Sequence, residues 1–270
     1  MAIPKIIHYC WFGKNKIPKD IIWAIESWKK AMPDYEIILW NESNFNIDSL
    51  QWVKEAYYSK KYAFVTDYVR LYAVYNKGGL YLDTDIYILK PFDSFLEYDY
   101  FTSLEYDTKT KIFENVTNSD LNDIQSIPYI TFQSGLFGGI AGHPYLKDCL
   151  KWYEERKFKL SNGKYHLKPI ASEIYPAIAQ KYGFRYINQQ QKLNNNMMIL
   201  PSKYFSQGKN INITKETYAV HWWEGSWRSN KNWIKKIKSN NTIRKIFRKE
   251  PVFNAKEKIL KGIEMLNREN

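Results

Sequence analysis

Asp83 and Asp85 stand one residue apart behind a glycine pair and a short apolar run, in Asn76-Lys77-Gly78-Gly79-Leu80-Tyr81-Leu82-Asp83-Thr84-Asp85. Read as the end of a strand, the run sends Asp83 and Asp85 from one face and Thr84 from the other. Two carboxylates then converge with no cation inside the motif. Such a pair suits a divalent ion, because hard cations take oxygen ligands and are held by one or two carboxylates together with substrate phosphates. An Asp-x-Asp is equally what a strand running into an Asx-type turn looks like, so its neighbours decide.

The segment just before it, 61–77, reads as a helix that is apolar around most of its surface and stops at Gly78-Gly79. On this buried helix Ala63, Asp67 and Arg70 fall at i, i+4 and i+7, one stripe carrying a carboxylate and a guanidinium. Buried charges are costly unless paired or met by a polar ligand. The stripe therefore reads either as an ion pair tying the helix to its neighbours or as part of a polar site.

The pattern Ala63-x-x-x-Asp67-x-x-Arg70 followed by Gly78-Gly79-x-Tyr81-x-Asp83-x-Asp85 resembles the DXD-motif glycosyltransferases. That family includes yeast-type initiating mannosyltransferases, capsule and O-antigen transferases and the glucosylating clostridial toxins. The opening Ile3-Pro4-Lys5-Ile6-Ile7-His8-Tyr9-Cys10-Trp11-Phe12-Gly13 looks like the family's first strand, and Tyr218-Ala219-Val220-His221-Trp222-Trp223-Glu224-Gly225-Ser226-Trp227 resembles its closing motif. The resemblance implies a Rossmann-like GT-A fold and a retaining, Mn²⁺- or Mg²⁺-dependent transfer of a hexose from a nucleotide-sugar, with UDP-sugars ahead of GDP-sugars. It implies metal ligation by Asp85 and Asp83. His221 is the third ligand expected, and Glu224 and Ser226 are its rivals. Donor contacts are implied for Tyr9, Trp11, Asp83, Ser226 and Trp227, and for a polar residue near Gln133 and Ser134. Asp67, Arg70 and Asp83 would grip and orient the transferred sugar. Many relatives carry a second histidine where this chain has Trp222.

To position these groups the chain must place strand ends side by side. Segments 6–12 and 36–40 read as strands, 18–32 as a helix with Ile21, Ile25, Trp28 and Met32 inward, 48–58 as a helix, and 79–89 as the strand bearing the aspartates. This alternation argues for a mainly parallel central sheet with helices on both faces, an α/β fold whose ligands bind beyond the carboxyl ends of the strands. Residues 105–128 are polar and turn-rich, a long loop of the kind used for acceptor recognition. Segment 130–140 reads as a strand and bend, 145–156 and 169–182 as helices, and 188–196 as a solvated loop.

With 40 Lys and Arg against 28 Asp and Glu the chain is basic, and the last 40 residues hold twelve of those cations against four glutamates. The expected division is a catalytic domain at 1–228 and a basic helical extension at 229–270, with short amphipathic helices at 232–238, 243–248 and 255–266. Such a tail reads as a membrane-surface anchor or as an extension packed on the core. Two cysteines, no signal-peptide pattern and no long apolar run lead to the expectation of a cytoplasmic protein, peripheral on the inner face of the plasma membrane. The expected partners are a nucleotide-sugar donor and an oligosaccharide or lipid-linked glycan acceptor of capsule or O-antigen synthesis. A phosphatase using Asp83 and Asp85 at a strand end is the alternative, although several elements precede the motif. A nucleic-acid-binding module is a further one; charge gathered in the tail argues against it, and nucleic acid is not an expected partner.

Overall fold

Three apolar segments, Ile6–Cys10 (β1), Glu36–Trp40 (β2) and Gly79–Leu82 (β3), lie side by side and parallel, with β1 in the middle. The computed structural model describes residues 2–106, 130–207, 211–222 and 253–268. The further strands are Ile86–Ile88 (β4), Tyr100–Tyr106 (β5), Ile130–Gly139 (β6), Gln191–Leu193 (β7), Met197–Leu200 (β8), Phe205–Gln207 (β9) and Ala219–His221 (β10). Seven of them form one sheet in the order β2-β1-β3-β6-β5-β8-β7, and β4, β10 and β9 form a second. In the large sheet β2, β1, β3, β5 and β8 share a direction, while β6 and β7 oppose it. The α/β fold with a mostly parallel sheet is the one expected. Its antiparallel members arise because β6 enters between β3 and β5 against their direction.

Helices cover both faces. Gln51–Tyr58 (α2), Tyr62–Lys77 (α3), Pro144–Glu154 (α4) and Ala171–Ala179 (α5) pack on one, around Trp52, Val69, Tyr145 and Tyr175. Lys19–Ala31 (α1) packs on the other, and Ile21, Ile25, Trp28 and Met32 face inward as the periodicity predicts. The α1 helix also serves β4: the Trp28 indole N–H donates to the Ile86 carbonyl at 2.7 Å, and the Ile88 N–H donates to Ser27 Oγ at 2.9 Å.

The junction of α3 with β3 depends on two glycines. Gly78 and Gly79 adopt φ of 68° and 108°, and a β-carbon on Gly79 would lie 2.6 Å from the Ile6 carbonyl. The Gly78 carbonyl accepts from His8 Nε2 at 2.8 Å, while Trp40 Nε1 donates to His8 Nδ1 at 3.1 Å. His8 is fully buried and fixed as the neutral Nε2–H tautomer; burial lowers its pKa to about 4, against the hydrogen bond to Gly78.

Two expectations are corrected. Residues 79–89 are not one strand: β3 and β4 belong to different sheets, and a turn closed by the Ile86 N–H on the Asp83 carbonyl (3.2 Å) separates them. Part of 188–196 is a strand, β7, at the sheet edge; its register on β8 is a long-range pairing that local composition does not reveal. Segment 130–140 is a ten-residue strand, β6, followed by a turn at Ala141-Gly142 before α4, as expected. Elsewhere boundaries move: β1 ends at Cys10, α2 begins at Gln51 after a single 3-10 turn over Ile47–Ser49, and α5 gives way to 3-10 geometry at Gln180–Tyr182.

Of the tail, Phe253–Arg268 (α6) is described, and the segments expected as helices at 232–238 and 243–248 lie outside the described residues. Ala255, Ile259, Gly262, Ile263 and Leu266 make the less exposed stripe of α6, at helical spacing. Ile259 is fully buried, Gly262 lies so close to Ile213 that a β-carbon would meet it at 2.6 Å, and Lys256 Nζ stands 4.8 Å from the centre of the Trp23 ring. The helix thus docks on the body through its apolar stripe. No helix among the described residues is long and apolar enough to cross a membrane.

Candidate functional site

The register that sets His8 beside Tyr81 carries Cys10 level with Asp83, so the ends of β1 and β3 open at one edge of the sheet. There Asp83 leaves β3, Thr84 turns, and Asp85 enters β4. The two carboxylates converge because of that turn, not because of strand alternation. The antiparallel pairing of β4 with β10 then puts His221 opposite Ile86, and the Trp222 N–H donates to the Asp85 carbonyl at 3.2 Å. In this way a distant segment brings His221 Nε2 to 3.0 Å from Asp85 Oδ1.

One ligand atom each from Asp83, Asp85 and His221 lies within 4.8 Å of the others. The donor set of two carboxylates and an imidazole fits Mn²⁺ by chemistry, carboxylate oxygen being preferred and imidazole accepted, and fits the all-oxygen preference of Mg²⁺ less well. Electrostatics agree. Among the described residues four carboxyl groups, Asp67, Asp83, Asp85 and Glu105, gather around Arg70 and His221. Burial pushes Asp67 up to about 6 and Glu105 up to about 7, the nearby cations notwithstanding. Burial, the largest single influence, disfavours charge on His221, yet Asp85 together with Asp83 and Glu105 offsets it and the imidazole pKa is raised. A cation would relieve this excess of negative charge.

Arg70 is the brace. Its Nη2 lies 3.1 Å from Asp67 Oδ1 and 3.4 Å from Asp83 Oδ1, Nη1 donates to the Ser134 carbonyl at 2.8 Å, and Nε donates to the Thr66 carbonyl at 3.3 Å. The guanidinium also stacks over Tyr81, whose hydroxyl donates to Asp83 Oδ1 at 2.7 Å. Burial opposes its charge, but Asp83 and Asp67 hold Arg70 well above its ordinary pKa. The Ala63, Asp67 and Arg70 stripe is therefore both readings at once: an internal ion pair that ends on the Asp83 carboxylate.

Strand β6 supplies the floor. Gly135 accepts from the Asp83 N–H at 2.7 Å, and Gln133 Oε1 lies 2.9 Å from His221 Nδ1. Between Gln133 and Leu136 the β6 backbone bulges away from β5, and Thr102 Oγ1 fills the gap, 3.1 Å from the Gln133 carbonyl and 2.8 Å from that of Leu136. Ser134 meets Arg70 through its backbone carbonyl.

Tyr9 and Trp11 leave β1 on the α1 face, opposite to Cys10. Tyr9 packs edge-on against Trp28, and the Trp11 indole N–H donates to the Asn15 carbonyl at 2.6 Å. Glu224, Ser226 and Trp227 lie outside the described residues, as does 107–129, most of the segment expected to meet an acceptor. Sequence reasoning missed Glu105, whose Oε2 accepts from Thr131 Oγ1 at 3.2 Å, along with Thr102 and the packing role of Gly135. The available signal was the alternation of Thr131 and Gln133 with apolar residues in β6.

Comparison with known proteins finds similarity over part of the chain. Residues 18–102 match the glycosyltransferase sugar-binding region containing a DXD motif, a span that takes in Asp67, Arg70, Asp83 and Asp85. Over 101 residues the chain is 37% identical to inositol phosphoceramide mannosyltransferase 3 of Schizosaccharomyces pombe (strain 972 / ATCC 24843), a match covering 36% of this chain and 28% of that protein. Inositol phosphoceramide mannosyltransferase 2 of the same organism is 35% identical over 103 residues, 36% of this chain and 29% of the relative. The chain thus aligns with less than a third of either. Among solved structures, the PaToxG glycosyltransferase is similar at 17% identity and a TM-score of 0.46, over 67% of this chain and 71% of that one. The galactosyltransferase LgtC with donor and acceptor sugar analogs is similar at 12% identity and a TM-score of 0.37, over 80% and 86% of the two chains.

Proposed function

We propose that this chain, whose residues 18–102 match a glycosyltransferase sugar-binding region containing a DXD motif, is a metal-dependent, retaining GT-A hexosyltransferase that uses a nucleotide-sugar, a UDP-sugar first among them. The observation that carries the reading is the meeting of Asp83, Asp85 and His221 within 4.8 Å at the end of β3. The ion held there is Mn²⁺ or Mg²⁺, and when bound it supplies positive charge against the departing diphosphate. Asp85 and His221 would hold it, and Asp83 would share its carboxylate between the ion and donor hydroxyls. Arg70 keeps Asp83 and Asp67 in place as the groups that face the transferred hexose, and that fixed geometry lowers the entropy cost of transfer. Tyr9, Trp11, Ser134, Ser226 and Trp227 are proposed to line the rest of the donor site, with Trp11 stacking on the base.

In the step itself the bond from the anomeric carbon to the diphosphate oxygen breaks, and a bond to an acceptor hydroxyl oxygen forms on the same face. The acceptor's proton passes to the leaving phosphate oxygen. A covalent hexosyl adduct trapped on Glu105 or Asp67 would replace this front-face route by double displacement. The acceptor is proposed to be a glycan, lipid-linked in capsule or O-antigen synthesis. The S. pombe relatives are by name mannosyltransferases acting on a ceramide lipid, which supports a lipid-borne acceptor and adds mannose to the donors to be tried. We further propose a catalytic unit at 1–228, an appendage at 229–270, and a cytoplasmic location, peripheral on the plasma membrane. With the α6 stripe packed on the body and Lys256 held over Trp23, Lys258 and Lys261 are the charges in that helix proposed to face a membrane.

The test is a donor screen. Mn²⁺-dependent hydrolysis of UDP-glucose, UDP-galactose, UDP-N-acetylglucosamine and GDP-mannose is measured for the wild type and for Asp83→Ala, Asp85→Ala and His221→Ala. Turnover of one donor, lost in all three variants with the fold intact, is expected. Metal-dependent release of phosphate from simple esters without sugar transfer would point to the phosphatase instead.

A further inference from the structure

Four of the seven large apolar side chains that stand exposed among the described residues, Tyr58, Leu160, Tyr165 and Leu167, belong to two segments, the end of α2 and the stretch between α4 and α5. Each is between 37% and 65% exposed. The two segments meet: Lys61 Nζ stands 6.0 Å from the centre of the Tyr165 ring, and the Lys159 N–H donates to Glu55 Oε2 at 2.7 Å. Phe158, buried against Trp52 and Phe64, stacks on Tyr165 at 5.3 Å. A closed turn holds the tip, the Leu160 N–H donating to the Lys164 carbonyl at 2.8 Å and the Gly163 N–H to the Leu160 carbonyl at 2.9 Å.

Charge on this patch has one sign. Residues 57–66 and 156–168 contain no Asp or Glu, and while Lys168 is paired with Glu173, Lys60, Lys61, Lys159 and Lys164 make no ion pair among the described residues. Its place in the fold matters too. The α3 helix begins at Tyr62, whose ring a β-carbon on Gly13 would run into, and Gly13 lies in the loop that leaves β1 at the site edge. Asp67 follows five residues along α3, about 7.5 Å of helix. The patch therefore borders the edge at which Asp83 and Asp85 stand. On the other face Lys256 of α6 lies over Trp23, which packs on Trp222, so two basic surfaces flank that edge.

We propose that the patch of Tyr58, Leu160, Tyr165 and Leu167 with its lysines is a membrane-docking surface that seats on an anionic bilayer and turns the site edge toward lipid. Lysines at headgroup level with leucines and tyrosines at the acyl boundary are what an interfacial segment presents. Each basic residue near such a surface strengthens attachment by about fivefold. An oligosaccharide would use the rings and leave the leucines uncovered, and a second copy of the chain would set lysines against lysines. The inference rests on the proposed lipid-borne acceptor for its purpose. Vesicle binding is measured without donor and donor hydrolysis without vesicles, so either can fail alone.

The full chain is sedimented at low and at high salt with vesicles of phosphatidylcholine alone and of phosphatidylcholine mixed with phosphatidylglycerol. Binding of the wild type to the mixed vesicles, weakened by salt, is expected. Lys159→Ala combined with Lys164→Ala should lower that partition by about 25-fold, and Leu160→Ser combined with Leu167→Ser should lower it as well. Leu160→Cys labelled with a nitrobenzoxadiazole dye, Cys10 and Cys149 being buried, should brighten on the mixed vesicles. Hydrolysis of a soluble nucleotide-sugar should be the same in every variant as in the wild type. No binding by the wild type, equal partition of the wild type and the paired variants, equal binding to phosphatidylcholine alone, or a dye that stays dim would overturn the proposal. So would a dimer in sedimentation velocity that the leucine pair splits, which would give the surface to a second copy. Vesicle binding by a chain that hydrolyses no donor would leave the surface standing and remove the glycosyltransferase reading.

Discussion

Gly135 lies so close to Asp83 that a β-carbon on it would stand 2.5 Å from Asp83 Oδ2, closer than any side chain tolerates. The backbone agrees, since the Asp83 N–H donates to the Gly135 carbonyl at 2.7 Å. Glycine is required here by room for a carboxylate, and this is legible only once β3 and β6 are paired.

Gly135→Ala should therefore swing the Asp83 carboxylate away from Asp85 and His221 while leaving the backbone conformation permitted. A loss of about 10–100-fold in Mn²⁺ affinity is expected, with a circular dichroism spectrum like that of the wild type. Unchanged affinity would mean that Asp83 is not a ligand.

Arg70 stands between Asp67 and Asp83 and is 6% exposed at its side chain. Arg70→Leu leaves two part-buried carboxylates without their shared cation, Asp83 keeping the Tyr81 hydroxyl, and should lower stability in urea unfolding by at most about 3–5 kcal/mol. Arg70→Lys should recover only part, because one ammonium cannot reach the Thr66 and Ser134 carbonyls and both carboxylates together. Full recovery by lysine would show that charge alone matters.

Thr102→Val keeps the shape of a fully buried side chain and removes the hydroxyl that fills the bulge of β6. The carbonyls of Gln133 and Leu136 lose the single hydroxyl proton that lies between them, at a cost of about 1–3 kcal/mol. A lower urea midpoint with an unchanged slope is the expected result. A stability equal to the wild type would mean that water replaces the hydroxyl.

His8 makes stability fall with acid. Its pKa is lowered from 6.5 unfolded to about 4 folded, so between those values the unfolded chain binds a proton that the folded chain refuses. The contribution is intact above about pH 6.5 and lost as pH falls toward about 4, about 3 kcal/mol in all. Unfolding free energies measured at about pH 7 and about pH 4.5 should differ less in His8→Gln than in the wild type. An equal difference in both would show that His8 does not govern this window.

How much of this was legible beforehand varied with the range of the interaction. The helix 61–77 was read from its period and its glycine stop and is found as α3, and Asp67 and Arg70 on one stripe followed from helical spacing. The convergence of Asp83 and Asp85 was expected for the wrong reason, alternation in a strand, when a turn between two sheets produces it. Composition puts Glu105 at the start of a polar loop, yet it stands opposite Thr131 in the β5–β6 pair and feels His221 and Asp83.

What the sequence determined by itself is local: which stretches are helical, which are apolar strands, and that two aspartates close a βαβ-like run. Periodicity and turn chemistry act over a few residues, and those decisions are made there. Only the tertiary structure decided that β10 pairs with β4, that β6 enters antiparallel beside β3, and that a bulge held by Thr102 turns Gln133 toward His221. Strand register between remote segments is set by the packing of whole faces against one another, and no short window of the chain carries that information.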